Sequence, residues 1–162
     1  MSETGRPNGD LGPQGQPLRI QILGQYVKDL SFENPGAPLV NPAIRPNIDL
    51  GVDLQARQLD QERFEVELKL RVSAQAEQKP LFLLELVYVG LLMIQSAPAE
   101  ILQQLLLIEV PHLLFPFARR VVADAIRDGG MPPLMIEPID FAALFRAKAA
   151  EGQLRTGPTA VA

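Results

Sequence analysis

The sequence contains no cysteine and no tryptophan, and it has a single histidine among its 162 residues. Without cysteine the chain has no disulfide, no thiolate metal ligand and no thiol nucleophile, and one histidine is too few for a histidine-rich metal site. Charge is also limited: 15 basic residues against 19 acidic ones give a net charge of −4, which argues against nucleic acid as a partner. What the chain has in plenty is apolar residues, 47% of the total, and 15 prolines. These numbers predict a folded protein that is poorly equipped for catalysis.

Segments that would direct the chain to a membrane are missing. The N-terminus has neither the basic nor the apolar region of a secretory signal. The longest apolar run, Leu81–Ile94, is interrupted by Glu85 and falls short of the ~20 residues that span a bilayer. We therefore expect a cytoplasmic protein with one domain, residues 18–150, between a disordered N-terminal arm (residues 1–17) and a disordered C-terminal tail (residues 151–162).

Four segments show the alternation of period two that is typical of β-strands. The clearest is Phe64–Glu77, and residues 47–55 precede it through a short connection, so the two are predicted to form an antiparallel hairpin. The first strand, residues 18–32, changes phase at Leu23–Gly24, where we predict a β-bulge. The fourth, Leu81–Gln95, is apolar on both sides, which predicts that both of its faces are covered, either by the chain's own helices or by another subunit.

Helical spacing follows the strands. Ala99–Ile108 and Ala118–Arg127 are predicted helices, and a third helix carries Phe141 and Phe145. Strands followed by helices predict an α+β domain, in which a four-stranded antiparallel sheet carries helices packed on one face. Pro111 and Pro116 are expected to make the second helix start late or to kink it, because proline removes an amide donor. Gly129–Gly130 is expected to end that helix, and Asp140 to cap the start of the last one.

Catalytic groups are few. His112 has no serine or aspartate placed to make it a general base, so we interpret it as a surface or helix-start histidine. Glu65 and Glu67 share one side of a strand, but Lys69 and Arg71 alternate with them, which is typical of an ordinary solvated face. We therefore predict no catalytic residue, no metal site, no cofactor and no enzymatic activity.

Two features are unusual for a small domain. The proline-rich segments Asn34–Arg45 and Met131–Pro138 are apolar although both are predicted loops. Such stiff loops are suited to wall a groove for an extended polypeptide, but packing onto the protein's own core is the alternative, and composition favours it. Glu85, within the apolar fourth strand, is either a solvated residue or a docking charge at the margin of the sheet.

Several segments together resemble the SecB family of bacterial protein-export chaperones over about residues 18–150. Each is weakly specific alone, but their order and spacing are highly specific, and the Pro132–Pro133 pair is typical of alphaproteobacterial members. The segments are Tyr26–Pro35 (YVKDLSFENP), Phe82–Glu85 (FLLE), Leu114–Arg119 (LFPFAR) and Gly130–Leu134 (GMPPL) with Pro138–Phe141 (PIDF).

The resemblance implies a homotetramer, built as a dimer of dimers, that acts as an ATP-independent holdase. It would bind unfolded precursor proteins and deliver them to the SecA motor, without nucleic acid or stable membrane insertion. The alternative is a SecB-like oligomeric chaperone or scaffold that serves another partner, such as a toxin–antitoxin system.

The resemblance also implies two binding sites. A SecA-docking site is expected at Asp29, Glu33, Leu83 and Glu85. A client groove is expected between the two proline-rich loops, where Met131 replaces a phenylalanine that is common in relatives. Its candidate residues are Leu39, Val40, Ile44, Met131, Leu134, Met135 and Ile136, with Phe141 and Phe145 behind them.

Overall fold

The computed structural model describes residues 17–151. Apart from one residue at each boundary, the predicted N-terminal arm and C-terminal tail lie outside the described residues. Four strands precede three helices: β1 (Arg19–Glu33), β2 (Asn47–Gln58), β3 (Arg63–Ala76), β4 (Lys79–Gln95), α1 (Ala99–Gln104), α2 (Val110–Asp128) and α3 (Phe141–Ala150).

The strands form one antiparallel sheet in the order β1-β4-β3-β2. Tight turns join β2 to β3 and β3 to β4. In the second of these turns, Glu77 and Gln78 both have positive φ, as a two-residue hairpin turn that matches the strand twist requires. The crossover loop (residues 34–46) carries the chain from β1 to β2 at the opposite edge of the sheet. The helices pack on one face, so the predicted α+β class is confirmed.

Strand β1 contains two bulges. The bulge predicted at Leu23–Gly24 is confirmed, and a second one lies at Lys28. Each extra residue reverses the alternation of side chains that follow it. As a result, Ile22 and Leu30 both lie opposite core residues of β4, on the side of the helices.

The helical segment is continuous from Ala99 to Asp128 and joins α1 to α2 through a π-helical turn, Leu105–Glu109. Of the two effects predicted for the prolines, the late start of the second helix is wrong, because α2 begins at Val110 and contains Pro116. Proline has no amide hydrogen to donate, so Pro111 and Pro116 each remove one regular hydrogen bond from the interior of this continuous helix. The wider π turn immediately before Pro111 fits the loss of a regular hydrogen bond there.

By length and composition alone, this helix is apolar enough to cross a membrane. Its position in the fold gives another reason for that composition. Leu114, Ala118 and Val122 are fully buried in the core that α2 shares with the sheet. The helix therefore has an apolar side because it covers one face of the sheet.

We expect Gly90→Ala to lower the free energy of unfolding by about 1–3 kcal/mol. A Cβ at this position in β4 would lie 2.8 Å from Cδ2 of Leu114, which is fully buried. The matched control is Gly24→Ala in β1, where a Cβ would meet no atom within 4 Å. Denaturant titrations at one fixed protein concentration measure both effects. Equal losses of stability in the two variants would contradict the prediction.

Candidate binding surfaces

The face of the sheet opposite the helices is called the open face. Its centre was predicted to be solvated, and this prediction is wrong, because Glu65 on β3 is only 8% exposed. Nη2 of Arg57 on β2 lies 3.2 Å from both carboxylate oxygens of Glu65. From β1, Lys28 reaches across β4 to hydrogen-bond Glu67, with its Nζ 3.7 Å from Oε1 of Glu65. Long side chains lie flat across the strands and form an ion-pair network (Lys28, Arg57, Glu65, Glu67 and Lys69).

The ion-pair network covers the side of β4 that the helices leave open, and this explains why apolar residues are buried there. Val89 lies between Tyr26 on β1 and Glu67 on β3, and it is fully buried. The hydrogen bond to Glu67 raises the pKa of Lys28, so its ammonium group stays charged over the network. Both faces of this part of β4 are covered, as its composition predicted, but charged side chains cover one of them.

The four predicted docking residues lie together on the open face, at the end of β1 and the beginning of β4. Glu33 is the register partner of Leu83, and Ser31 is the partner of Glu85. Asp29 precedes Ser31 by two positions, so it points to the same side. The four predicted residues, Asp29, Glu33, Leu83 and Glu85, are called the acidic patch.

The acidic patch is exposed and incompletely neutralised. Half of the Glu85 side chain is exposed, with Nε of Arg71 at 3.7 Å, so this carboxylate is solvated. Asp29 and Glu33 are exposed and form no ion pair within residues 17–151. Negative charge therefore remains available at this end of the sheet, whereas the centre of the open face is neutralised by the ion-pair network.

The two proline-rich loops begin side by side. The crossover loop starts at Asn34, and the helix-connecting loop (residues 129–140) starts at Gly129. Nδ2 of Asn34 donates a hydrogen bond to the carbonyl oxygen of Gly129 at 2.8 Å. Two residues further along, the amide of Gly36 donates to the carbonyl oxygen of Leu81 at 2.9 Å. The structure thus brings the bases of the two loops into contact.

The predicted groove residues differ in burial. Burial distinguishes the two interpretations of the loops, which are the wall of a groove and packing onto the core. Val40 is 85% exposed and Met135 is 61% exposed, so both are available to a partner. The half-buried residues are Leu39, Ile44, Leu134 and Phe145, and the buried ones are Met131, Ile136 and Phe141. Packing onto the core therefore describes the last three, and Ile44, Leu134 and Phe145 also pack against the core, whereas Val40 and Met135 lie at the surface.

Part of the exposed apolar surface was not predicted from the sequence. Ile48 and Leu50 of β2 lie opposite the core residues Ala74 and Val72, yet both remain exposed. They continue the apolar surface of the crossover loop, which ends immediately before β2. Their alternation predicted burial, and no local pattern reveals that the helices stop short of this edge. Other exposed apolar residues on the helix side are Ile20, Ile22, Val27 and Leu30 of β1, with Leu113 and Phe117 of α2.

The last helix is attached to the edge of the sheet by a charged contact. Asp140 caps α3 as predicted, by accepting a hydrogen bond from the amide of Ala143. Nζ of Lys148 donates to Oδ1 of Asp53 on β2 at 2.8 Å. Burial by itself raises the pKa of Asp53, but the hydrogen bond and charge of Lys148, together with the amide of Leu54 and the charge of Lys69, outweigh it, so the net pKa is lowered.

We expect Lys148→Met to lower the free energy of unfolding near neutral pH by about 0.5 kcal/mol, since Asp53 is half-exposed. The lowered pKa of Asp53 means that the contribution is present above its unfolded-state value and is lost as pH falls through the folded-state value. The variant and the wild type should therefore converge in acid. Denaturant titrations across pH measure this, with Arg146→Met, an exposed cation of the same helix, as the control. A difference that persists below both pKa values would contradict the assignment.

Groups suited to catalysis are dispersed. The imidazole of His112 is exposed and lies edge-on to the ring of Phe141, with 5.1 Å between the ring centroids. Asp60 lines a shallow pocket at the β2–β3 turn, where it accepts hydrogen bonds from the amides of Glu62 and Arg63. Those bonds lower the pKa of Asp60, and they give the carboxylate a role in the turn. Residues 17–151 contain no cluster of three metal-ligating side chains.

An exposed acidic patch and a separate pair of apolar loops define a protein whose surfaces suit the binding of other polypeptides. Comparison with known proteins agrees with this class. The model of the SecB family, described as preprotein translocase subunit SecB, matches residues 13–152. The chain therefore belongs to the SecB family of protein-export chaperones.

Individual relatives extend over most of the chain. The protein-export protein SecB of Xanthobacter autotrophicus is 46% identical, covering 91% of this chain and 92% of the relative. That of Hyphomonas neptunium is 48% identical, covering 91% and 88%. A SecB-like chaperone of Mycobacterium tuberculosis, solved in complex with an antitoxin peptide, superposes with a TM-score of 0.65 at 20% identity. It covers 75% of this chain and 91% of its own, and the likeness supports the fold.

Proposed function

We propose that this protein is a cytoplasmic, ATP-independent holdase that keeps exported precursors unfolded and delivers them to SecA. The observation that carries the proposal is the separation of its two surfaces. The acidic patch lies on the open face at the β1–β4 end, whereas the exposed apolar residues other than Tyr26 lie mainly on the loops and the helix side. A protein with this arrangement can hold a client and contact a motor at the same time, and it needs no catalytic residue to do so.

Client binding follows from the exposed apolar loops. Val40 and Met135 project from stiff segments, and Ile48 and Leu50 extend the surface along edge strand β2. An unfolded chain can fill such a surface with apolar side chains and add main-chain hydrogen bonds at a strand edge, with little demand on its sequence. Met135 has a flexible side chain that adapts to varied partners.

Assembly into a tetramer is supported by apolar surface that one chain leaves uncovered. Strand β1 is an edge strand of 15 residues, and its helix side exposes Ile20, Ile22, Val27 and Leu30. A long apolar edge pairs readily with another strand, and pairing between copies would cover it. On α2, Leu113 and Phe117 lie four residues apart and form a second exposed apolar surface. Two such surfaces are what a dimer of dimers requires.

SecA docking is assigned to the acidic patch. Asp29 and Glu33 form no ion pair among the described residues 17–151, and Leu83, the register partner of Glu33, adds apolar area next to Glu85 on β4. Complementary charge speeds association and selects a partner, so we infer that the docking segment of SecA is cationic. The toxin–antitoxin alternative has weaker support, because the structure that suggests it is a distant relative.

Aggregation of a chemically unfolded, exported precursor tests the holdase activity. Without nucleotide, the full chain at one tetramer per precursor is expected to suppress light scattering by the diluted precursor. The same precursor, folded before mixing, serves as the control and is expected to show no complex by size exclusion. Undiminished aggregation would reject the holdase, whereas suppression without measurable SecA affinity would favour a partner other than SecA.

A further inference from the structure

We propose that Asn34 is a positioning residue for the client groove. Its side-chain amide, bonded to the carbonyl of Gly129, sets the spacing of the two loops that wall the groove. The inference rests on the proposed function, because it assumes that clients bind between these loops. On this inference, Asn34 acts on client binding through the geometry of the loop bases.

The hydrogen bond joins the first residue of each loop. Asn34 follows β1 directly, and Gly129 follows α2 directly, so both loops leave the rigid part of the fold at this contact. On the α2 side, the amide of Gly129 donates to the carbonyl oxygen of Ala125 at 3.0 Å. Gly129 is thus held through both of its backbone polar groups, one by its own helix and one by Asn34.

The close approach of the loop bases depends on the absence of a side chain at residue 129. A Cβ built on Gly129 would lie 2.6 Å from Cε1 of Phe32 and 2.9 Å from Nδ2 of Asn34. Phe32 in turn packs against Phe82 of β4, with ring centroids 5.9 Å apart. The position of Asn34 is therefore determined by packing below it as well as by its hydrogen bond.

The donor function of Asn34 is the property that matters. Oδ1 of this residue is buried and has no hydrogen-bond partner among residues 17–151. Only the NH₂ end can face the carbonyl of Gly129, so the structure fixes the orientation of the amide. Removal of this donor, with the shape of the side chain preserved, isolates the proposed role.

A change at the loop bases is expected to move the loop tips. Val40 lies six residues beyond Asn34, and Met135 lies six residues beyond Gly129. Prolines at positions 35, 38, 42 and 46 stiffen the crossover loop, so a change of direction at Asn34 is transmitted along it. The distance between Val40 and Met135 therefore reports the opening of the groove.

Asn34→Asp is the test, because the carboxylate has the shape of the amide but cannot donate. At about pH 8 we expect it to weaken the binding of an unfolded precursor about tenfold. Burial raises the pKa of a carboxyl at this position, and the protonated form can donate to Gly129 again. Most of the affinity should therefore return at about pH 6.

The matched control is Asn41→Asp in the same loop. Oδ1 of Asn41 accepts a hydrogen bond from the amide of Ala43 at 3.0 Å, and a carboxylate accepts it equally well. This variant adds the same charge to the crossover loop and should bind the precursor as the wild type does at both pH values. Asn34→Ser provides a further variant without added charge, and its shorter side chain should weaken binding at both pH values alike.

Spin labels measure the spacing without any client. The chain has no cysteine, so Val40→Cys with Met135→Cys gives two unique labelling sites. Asn34→Asp is expected to broaden the distance distribution at about pH 8 and to leave it narrow at about pH 6. If the wild type binds precursor and Asn34→Asp binds it equally at both pH values, the inference is wrong and the holdase stands. If the wild type binds no precursor, the proposed function fails, and the label distances alone decide whether Asn34 positions the loops.

Discussion

Glu85→Lys is expected to lower the affinity for SecA at least about 100-fold and to leave the binding of unfolded precursors unchanged. Half of the Glu85 side chain is exposed within the acidic patch, with Arg71 on the neighbouring strand 3.7 Å away. A lysine there would lie beside Arg71 and would present two cations where the patch now offers a carboxylate. Titration of labelled SecA measures the loss, and the aggregation assay shows whether client holding persists.

The matched control is Asp49→Lys, which changes the net charge by the same amount. Asp49 lies on the open face of β2, opposite Ser73 and at the other edge of the sheet from β1. If overall charge decided the affinity, both variants would lose SecA equally, and the assignment to the acidic patch would be refuted. The wild-type affinity should also fall as salt is added, because exposed charges are screened.

Phe117→Asp is expected to halve the mass of the assembly, from about four chains to about two, on the dimer-of-dimers arrangement. Phe117 is 45% exposed on the outer side of α2, together with Leu113. A carboxylate buried at a contact between copies costs several kcal/mol when it has no partner there. Multi-angle light scattering measures the mass directly over a range of protein concentrations.

Leu59→Asp is the control for this substitution. Leu59 has nearly the same exposure, 43%, but it lies in the β2–β3 turn, away from β1 and α2. It should keep the mass of the wild type. A wild-type chain that is monomeric would overturn the tetramer, and a Phe117→Asp variant that remains tetrameric would exclude α2 from the interface.

The elements that sequence predicted well are those whose cause is local. Phe64–Glu77 alternates without exception, and β3 spans almost the same residues. The bulge at Leu23–Gly24, the cap at Asp140 and the helix end at Gly130, with its φ of 82°, each depend on a few neighbouring residues. Clusters of motifs likewise predicted the family, which the comparisons confirm.

The features that sequence missed depend on distant contacts. The sequence pattern indicates an ordinary strand residue at Lys28, but a bulge turns its side chain toward Glu67, 39 residues away. The sequence predicts that Glu65 is solvated. Only the sheet order shows that Arg57 lies beside it and that the ion-pair network covers Val89. Likewise, Pro116 suggested a delayed helix, although packing against the sheet keeps α2 continuous through it.

The sequence by itself determined the strands, most of the helices, the family and the scarcity of catalytic groups, because these follow from residue types and short spacings. Only the tertiary structure decided which charges are neutralised, which apolar residues stay exposed and where the two loops meet. Those properties depend on the order β1-β4-β3-β2, which places residues from opposite ends of the chain side by side. The surplus of apolar residues thus divides into a core, uncovered edges and loop tips, and the charges of the open face divide into a neutralised centre and the acidic patch.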